Sequence, residues 1–415
     1  MDKLLMVFGI ALILLLIDYY LFDSTKKIRR SWPEAIRKVT IILFWAISFI
    51  AIASLFGFNY APNEGVMNGM RRFFLVFLFL NIFPKILALP FLMVDDIVRI
   101  IKWTNKVIHK SEEKHLEGKK IKRSEFLVKA AIIAGGVPLA IMSYGIVSGA
   151  YNYRIIRRKL VIPNLPKEFH GIKLAQISDI HAGSFFNKRA VAGGIEMLMG
   201  EKPDLIFFTG DLVNTQTDEV NKYFDIFNKV KAPLGTYSIL GNHDYGDYRS
   251  WASADAKRKN LLDMIEAHKL LGWDLLLNEN RTLELGGEKI SIIGVENWGA
   301  GRFTKYGDIV KATQNINESS VKLLLSHDPS HWDAQIRPDY SDIDVMFAGH
   351  THGFQFGVEL GNFKWSPAQY AYKQWADLYQ KGNQKLYVNR GFGFIGYPGR
   401  IGIAPEITVF ELVNS

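Results

Sequence analysis

A chain of 415 residues, 48% of them hydrophobic, with a formal net charge of +9, has room for an ordinary catalytic domain and a second unit beside it. It contains no cysteine, which excludes disulfides and thiolate metal sites and leaves nitrogen and oxygen as ligands for any metal. Much of the basic excess lies in STKKIRRSWPEAIRK and RIIKWTNKVIHKSEEKHLEGKKIKRSE, beside long apolar runs, so the charge speaks of membrane orientation and lipid contact, and nucleic acid is not an expected partner.

In chain order, residues 1–150 read as a transmembrane helical region. Four stretches, about 4–22, 39–58, 73–94 and 126–150, approach the roughly 20 apolar residues that cross a bilayer. The first carries Asp18, lacks a small-residue cleavage site and precedes a second span, so it is read as retained and not as a signal peptide. Asn81, Pro84, Lys85 and Pro90 interrupt the third, which leaves a broken or interfacial helix open as an alternative. Lys129, near an end of the fourth, can snorkel. The loops Asp23 to Lys38 and Asp95 to Glu125 hold most of the Lys and Arg, whereas NYAPNEGVMNGMRR holds few. The positive-inside rule then puts the first and third loops in the cytoplasm and the region after the fourth span on the periplasmic or extracellular side of a cell membrane. The basic YRIIRRK argues the other way; residues 151–159, which include it, read as a basic linker.

From about Leu160, residues 160–415 change to short strands alternating with amphipathic helices. IKLAQIS, PDLIFFTG, TYSILGN, VKLLLSH and DVMFAGH each run from an apolar strand into a polar loop, the place where α/β sheets build their sites. The residues found there are Asp179 and His181 in SDIHAG, Asp211 in TGDLVN, Asn242, His243 and Asp244 in GNHDYG, His327 in LSHDP, and His350 and His352 in GHTHG. Five of the ten histidines fall in these motifs. Imidazole, carboxylate and amide oxygen together suit first-row divalent ions, and one aspartate can bridge two of them.

In this order the motifs resemble the calcineurin-like metallophosphoesterase superfamily, whose pattern is Asp-x-His, Gly-Asp, Gly-Asn-His-Asp/Glu, His and Gly-His-x-His, and most of all its bacterial membrane-associated branch. The likeness covers about Leu160 to Leu412, including YVNRGFGFIGYPGRIGIAPEITVFEL, and departs from the usual GHTHGG only in placing Phe354 at the pocket rim. The resemblance implies an α/β four-layer sandwich of two mixed β-sheets flanked by helices. It further implies two divalent metal ions, manganese first, with iron, zinc or magnesium as alternatives. One ion would be held by Asp179, His181, Asp211 and His352, the other by Asp211, Asn242, His327 and His350, with Asp211 as the bridge. A hydroxide shared between the ions would be the nucleophile, His243 would face the departing oxygen, and Asp244 would support His243. KRSEFLVKAAIIAGGVPLA also resembles the twin-arginine export signals of related enzymes, with Lys122 in place of an arginine, in keeping with an outer catalytic domain.

Arg400 in GYPGRIG suits bidentate binding of substrate phosphate oxygens, or a structural salt bridge. His170, His268 and His331 match no motif and read as structural or surface residues. Trp365, Tyr370, Tyr372, Trp375 and Tyr379 read as core, with a membrane-facing lip or a substrate wall as the alternative. The expected function is a membrane-anchored, dinuclear-metal phosphoesterase acting on a phosphoester or pyrophosphate, lipid-linked because the anchor confines the site near the bilayer. A hydrolase of soluble nucleotides is one alternative. The other is a membrane receptor or transport-related protein that keeps the metal site as a phosphate sensor or scaffold, supported by Asp18, Lys85 and Lys129.

Overall fold

Hydrocarbon cannot satisfy a free peptide group, so an apolar run in a bilayer folds as a helix that closes its own hydrogen bonds. The computed structural model, which describes residues 3–60, 65–109, 123–316, 321–361 and 363–414, divides the chain into Met1–Tyr144 and Gly145–Ser415. Helices Lys3–Ser24, Glu34–Tyr60, Gly65–His109 and Arg123–Val147 each contain a stretch long and apolar enough to cross a membrane. The third is one continuous helix of 45 residues that carries Pro84 and Pro90 inside it, and not the broken helix its sequence left open. The charge within it is answered locally. The Lys85 ammonium pairs with Asp18 of the first helix, a residue only 1% exposed, and donates to Asn81 Oδ1 at 2.5 Å. Part of the basic loop, with Lys122, lies outside the described residues.

The second unit is built, among the described residues, on fourteen strands. In chain order these begin with β1 (Arg154–Ile162), β2 (Lys173–Ile177), β3 (Leu205–Phe208), β4 (Thr236–Ser238) and β5 (Asp274–Leu275). Then follow β6 (Glu279–Leu285), β7 (Glu288–Gly294), β8 (Lys322–Leu325), β9 (Val345–Ala348) and the hairpin β10 (Val358–Leu360) and β11 (Phe363–Trp365). β12 (Asp377–Lys381), β13 (Gln384–Val388) and β14 (Glu406–Asn414) complete the set. One six-stranded sheet runs β1-β14-β2-β3-β4-β5 and the other β12-β13-β9-β8-β7-β6. Both mix parallel and antiparallel pairs.

The segment read as a basic linker is largely strand. Arg154 to Ile162 pair in parallel with Glu406 to Asn414 along the whole length of β1. β1 is an edge strand, so one flank is free and its Arg and Lys side chains stay in solvent; that composition mimics a linker.

Strands covered on both faces read as continuous apolar runs, and the alternation within them builds four layers. Leu205 and Phe207 of β3 join Leu323 and Leu325 of β8 and Val345 and Phe347 of β9 in a core between the sheets, where the Phe207 and Phe347 rings meet edge to face at 5.2 Å. Ile206 and Phe208 turn the other way, with Ile195 and Leu198 of helix Lys188–Gly200 and Met264 and Leu271 of helix Ala254–Leu271. Leu324, Met346 and Ala348 face Trp332 and Ile336 on the far side of the second sheet. This is the expected four-layer sandwich. Its parallel strands β2, β3 and β4 in one sheet and β8 and β9 in the other carry all five motif loops at their carboxyl ends.

Candidate metal centre

The five loops bring their polar residues together by bending the backbone sharply. Asp179, His181, Asp211, His350 and His352 all adopt positive φ between 49° and 73°, a left-handed conformation that costs a non-glycine residue and clusters at functional sites. Glycine is required where loops touch: a Cβ on Gly241 would stand 2.2 Å from Asp211 Oδ1, and one on Gly349 2.2 Å from Asp179 Oδ2.

Two groups of ligand atoms result. Asp179, His181 and His352 form one, and Asp211, His327 and His350 the other; within each, the atoms lie within 4.8 Å of one another and each group could hold a metal ion. In the first, His352 Nε2 is 3.1 Å from His181 Nε2 and 3.2 Å from Asp179 Oδ1. In the second, His327 Nε2 is 3.1 Å from Asp211 Oδ2 and 3.2 Å from His350 Nδ1, which faces Asn242 Oδ1 at 2.9 Å. Asp211 Oδ2 also lies 3.5 Å from His181 Nε2, so one carboxylate oxygen looks into both groups. All seven expected ligands converge here.

The donor set fits divalent cations. Nitrogen ligands about 2.1 Å from a common ion stand roughly 3 to 3.4 Å apart at angles near 90–110°, the spacing seen between these imidazoles. The field agrees. Burial works against a charge on His327, yet the Asp211 and then Asp179 carboxylates override it and push its pKa up to about 10, so the pocket draws positive charge. Burial opposes ionisation of Asp179 too, but His352 and His327 hold its carboxyl well below the usual range.

Neighbours orient the candidate ligands, as partners of metal-bound groups generally do. His327 Nδ1 donates to Thr209 O at 2.7 Å, and Asn242 Nδ2 donates to the Tyr248 hydroxyl at 2.8 Å, which turns its Oδ1 inward. His350 Nε2 meets the Tyr372 hydroxyl at 2.7 Å. Sequence reasoning did not find Tyr248 and left Tyr372 among core or wall aromatics; hydroxyl-bearing rings near the motifs were the available signal.

Two expectations are corrected. Asp244 does not support the His243 ring, whose Nδ1 donates to Asn214 O at 2.7 Å. Asp244 is fully buried and accepts from the backbone N–H groups of Asp211, Leu212, Val213 and Gly241 at 2.8–3.2 Å, clamping the two loops. Arg400 is not among the residues that line the cavity. Its buried guanidinium donates to the carbonyls of Arg390, Gly391 and Gly393, with Nη2 3.2 Å from His352 Nδ1, because the glycine-rich turn offers it inward-facing oxygens. Burial lowers its pKa to about 10.

Above the ligands opens a cavity of about 550 Å³, which His243 lines with Tyr248, Phe303, Phe354, Tyr372 and Tyr397. His268 and His331 are buried structural residues, Trp375 is core, and Tyr370 is exposed.

Residues 172–354 match the family model of calcineurin-like phosphoesterases, and residues 3–150 match one described as a probable calcineurin-like phosphoesterase transmembrane domain. YkuE of Bacillus subtilis, called an uncharacterized metallophosphoesterase, is 31% identical over 255 residues, which cover 60% of this chain and 82% of YkuE. The chain belongs to the calcineurin-like metallophosphoesterases. It is thereby a metal-dependent phosphoester hydrolase by family, with a membrane region of the type found in its transmembrane branch. Among similar metallophosphoesterases are the phosphodiesterase YaeI of Escherichia coli, 26% identical over 58% of this chain and 82% of its own, and UDP-2,3-diacylglucosamine pyrophosphatase LpxG of Chlamydia trachomatis, 27% identical over 55% of this chain and 81% of its own.

Proposed function

We propose that the chain is a membrane-anchored phosphoesterase that hydrolyses a phosphoester or pyrophosphate carried on a lipid, using two divalent ions, manganese before iron, zinc or magnesium. The observation that carries this reading is Asp211 Oδ2, 3.1 Å from His327 Nε2 and 3.5 Å from His181 Nε2, a bridge between two ligand groups. Asp179, His181, Asp211 and His352 would hold one ion, and Asp211, Asn242, His327 and His350 the other. Ions bound there supply Lewis acidity toward phosphoryl oxygens and acidify a water toward neutrality.

The chain's own residues do the rest. The Asp211 carboxylate accepts from the His243 backbone N–H at 2.9 Å and holds the main chain, and the Asn214 carbonyl takes the ring Nδ1–H, so that Nε2 is the ring nitrogen left to serve substrate. Protonated, that nitrogen gives its hydrogen to the departing oxygen as the P–O bond breaks. Tyr248 and Tyr372 hold Asn242 and His350 in their ligating orientations. The lipid-linked part draws support from LpxG, whose name gives it a diacylated substrate, and from the four candidate membrane-spanning helices. The basic loops flanking the first and third spans favour a catalytic unit on the outer side.

The test is metal content and hydrolysis of the purified full chain beside Asp211→Ala and His350→Ala, on a chromogenic phosphodiester and a panel of lipid pyrophosphates. Close to two ions per chain, with turnover lost in both variants, is expected; metal bound with no turnover on any substrate sinks the reading. The buried Asp18–Lys85 pair favours a second reading, a membrane sensor or transport-related protein that keeps the metal site as a scaffold. Lys85→Ala abolishing a cellular phenotype that Asp211→Ala leaves intact would establish it.

A further inference from the structure

The hairpin β10–β11 is folded with its apolar side outward. Directly opposed residues of an antiparallel pair share a face, as do alternate residues along a strand. Val358 opposite Trp365 and Leu360 opposite Phe363 therefore make one face, and Glu359 opposite Lys364 the other. Phe356, in extended backbone, joins the first, with its ring 6.3 Å from that of Trp365. The polar face is the anchored one: Glu359 accepts from Arg390 Nε at 2.9 Å, and Lys364 pairs with Asp377. The apolar face looks into solvent, where Leu360 keeps 72% and Phe363 60% of their surface. A half-solvated sheet normally puts its faces the other way round. Contiguous exposed apolar surface of this kind marks a contact site.

Phe354 stands two residues before Phe356, at the catalytic cavity. It lines that cavity beside His350 and His352, is 48% exposed, and sits at φ +50°, a backbone region costly for a bulky residue. Backbone preference argues against a phenyl ring there, and nearly half of its surface stays exposed.

We propose that this face is a lipid-contacting surface that seats the cavity rim on the acyl region of a bilayer, so that the phosphoester reaching the site is one held in that bilayer. The second half of the inference rests on the phosphoesterase reading; the first does not. A bilayer is the occupant for two reasons. The chain carries four candidate membrane spans, and β1 begins seven positions after Val147, a reach of at most about 25 Å. The outward face, Phe356, Val358, Leu360, Phe363 and Trp365, presents no charge to a partner, which suits hydrocarbon.

The absence of native cysteine allows a single label. Full chain with Leu360→Cys carrying an NBD fluorophore, in phospholipid nanodiscs, is expected to show blue-shifted emission quenched by doxyl-labelled acyl chains. The same label at Leu270→Cys, on an exposed helix position, is expected to stay water-like. Water-like, unquenched emission at position 360 overturns the proposal. So does a disulfide joining two copies of the unlabelled Leu360→Cys chain, which would give the face to a second copy of the protein. In a second arm, Leu360→Asp with Phe363→Asp is expected to raise KM for a vesicle-borne phosphoester on the order of tenfold and to leave hydrolysis of a water-soluble aryl phosphodiester unchanged. Equal loss on both substrates overturns the proposal. Failure of the unsubstituted chain on both counts against the phosphoesterase reading alone, and the label result stands apart from it.

Discussion

The Tyr372 hydroxyl stands 2.7 Å from His350 Nε2, while the other ring nitrogen of His350 faces Asn242 and His327. A hydrogen bond on the far side of a ligating imidazole fixes its orientation and basicity, and its loss typically weakens metal affinity about 10–100-fold. Tyr372→Phe is therefore expected to bind one ion as before and the second more weakly. Metal titration by calorimetry reads this directly, and activity is expected to return at high metal concentration. Unchanged affinity at both positions would show that the contact does not orient the ligand.

His243 is held by the Asn214 carbonyl with Nε2 as its remaining ring nitrogen. Proton donation to a leaving group is worth about 10²–10⁴-fold and matters least when the leaving group is already a weak base. His243→Gln should lower kcat steeply for an alkyl phosphoester and much less for a nitrophenyl ester. A loss independent of leaving-group pKa would assign His243 a different task.

Asp244 accepts four backbone N–H groups from two loops. A carboxamide has one acceptor oxygen, and its NH₂ would oppose donors, so Asp244→Asn is expected to cost about 2–4 kcal/mol. Thermal unfolding should show the loss in the fold, ahead of any change in leaving-group dependence. A fully stable variant with altered chemistry would restore Asp244 to a direct catalytic role.

Stability should also depend on two buried histidines outside the ligand groups. Burial lowers His268 to about 3 and His331 to about 4. Both remain neutral in the fold, so above pH 6.5 they titrate alike in folded and unfolded chains. As pH falls from 6.5 toward 4 the unfolded chain takes up protons that the fold refuses, and stability drops, by about 2–4 kcal/mol between pH 7 and pH 5 for the two together. Melting curves at both pH values, repeated with His268→Gln, should show a shallower decline in the variant; an identical decline would exclude His268 as a source.

How far the site was legible in the sequence follows from what each contact uses. Asp179, His181, Asp211, Asn242, His327, His350 and His352 would act through side-chain identity at strand ends, and side-chain identity is what a sequence displays. Asn214 acts through its carbonyl, which every residue owns, so no letter marks it. Arg400 stayed open between a phosphate and a structural role because guanidinium beside glycine suits a phosphate or a row of carbonyls equally, and the turn geometry shows the carbonyls. The strand Arg154–Ile162 was hidden by its edge position, where charge is compatible with pairing. Continuity through Pro84 and Pro90 depends on the surrounding helix and not on the prolines alone.

β14 lies between β1 and β2, and its partners come from near the start of the second unit. The first sheet therefore cannot close until Glu406–Asn414 have been synthesised, long after the helical spans have left the ribosome. Biogenesis of this protein separates in time: the hydrophobic segments meet the insertion machinery first, and the first sheet of the catalytic unit stays incomplete until β14 is made. A nascent chain arrested before Glu406 would be a membrane protein with an open, protease-sensitive sheet.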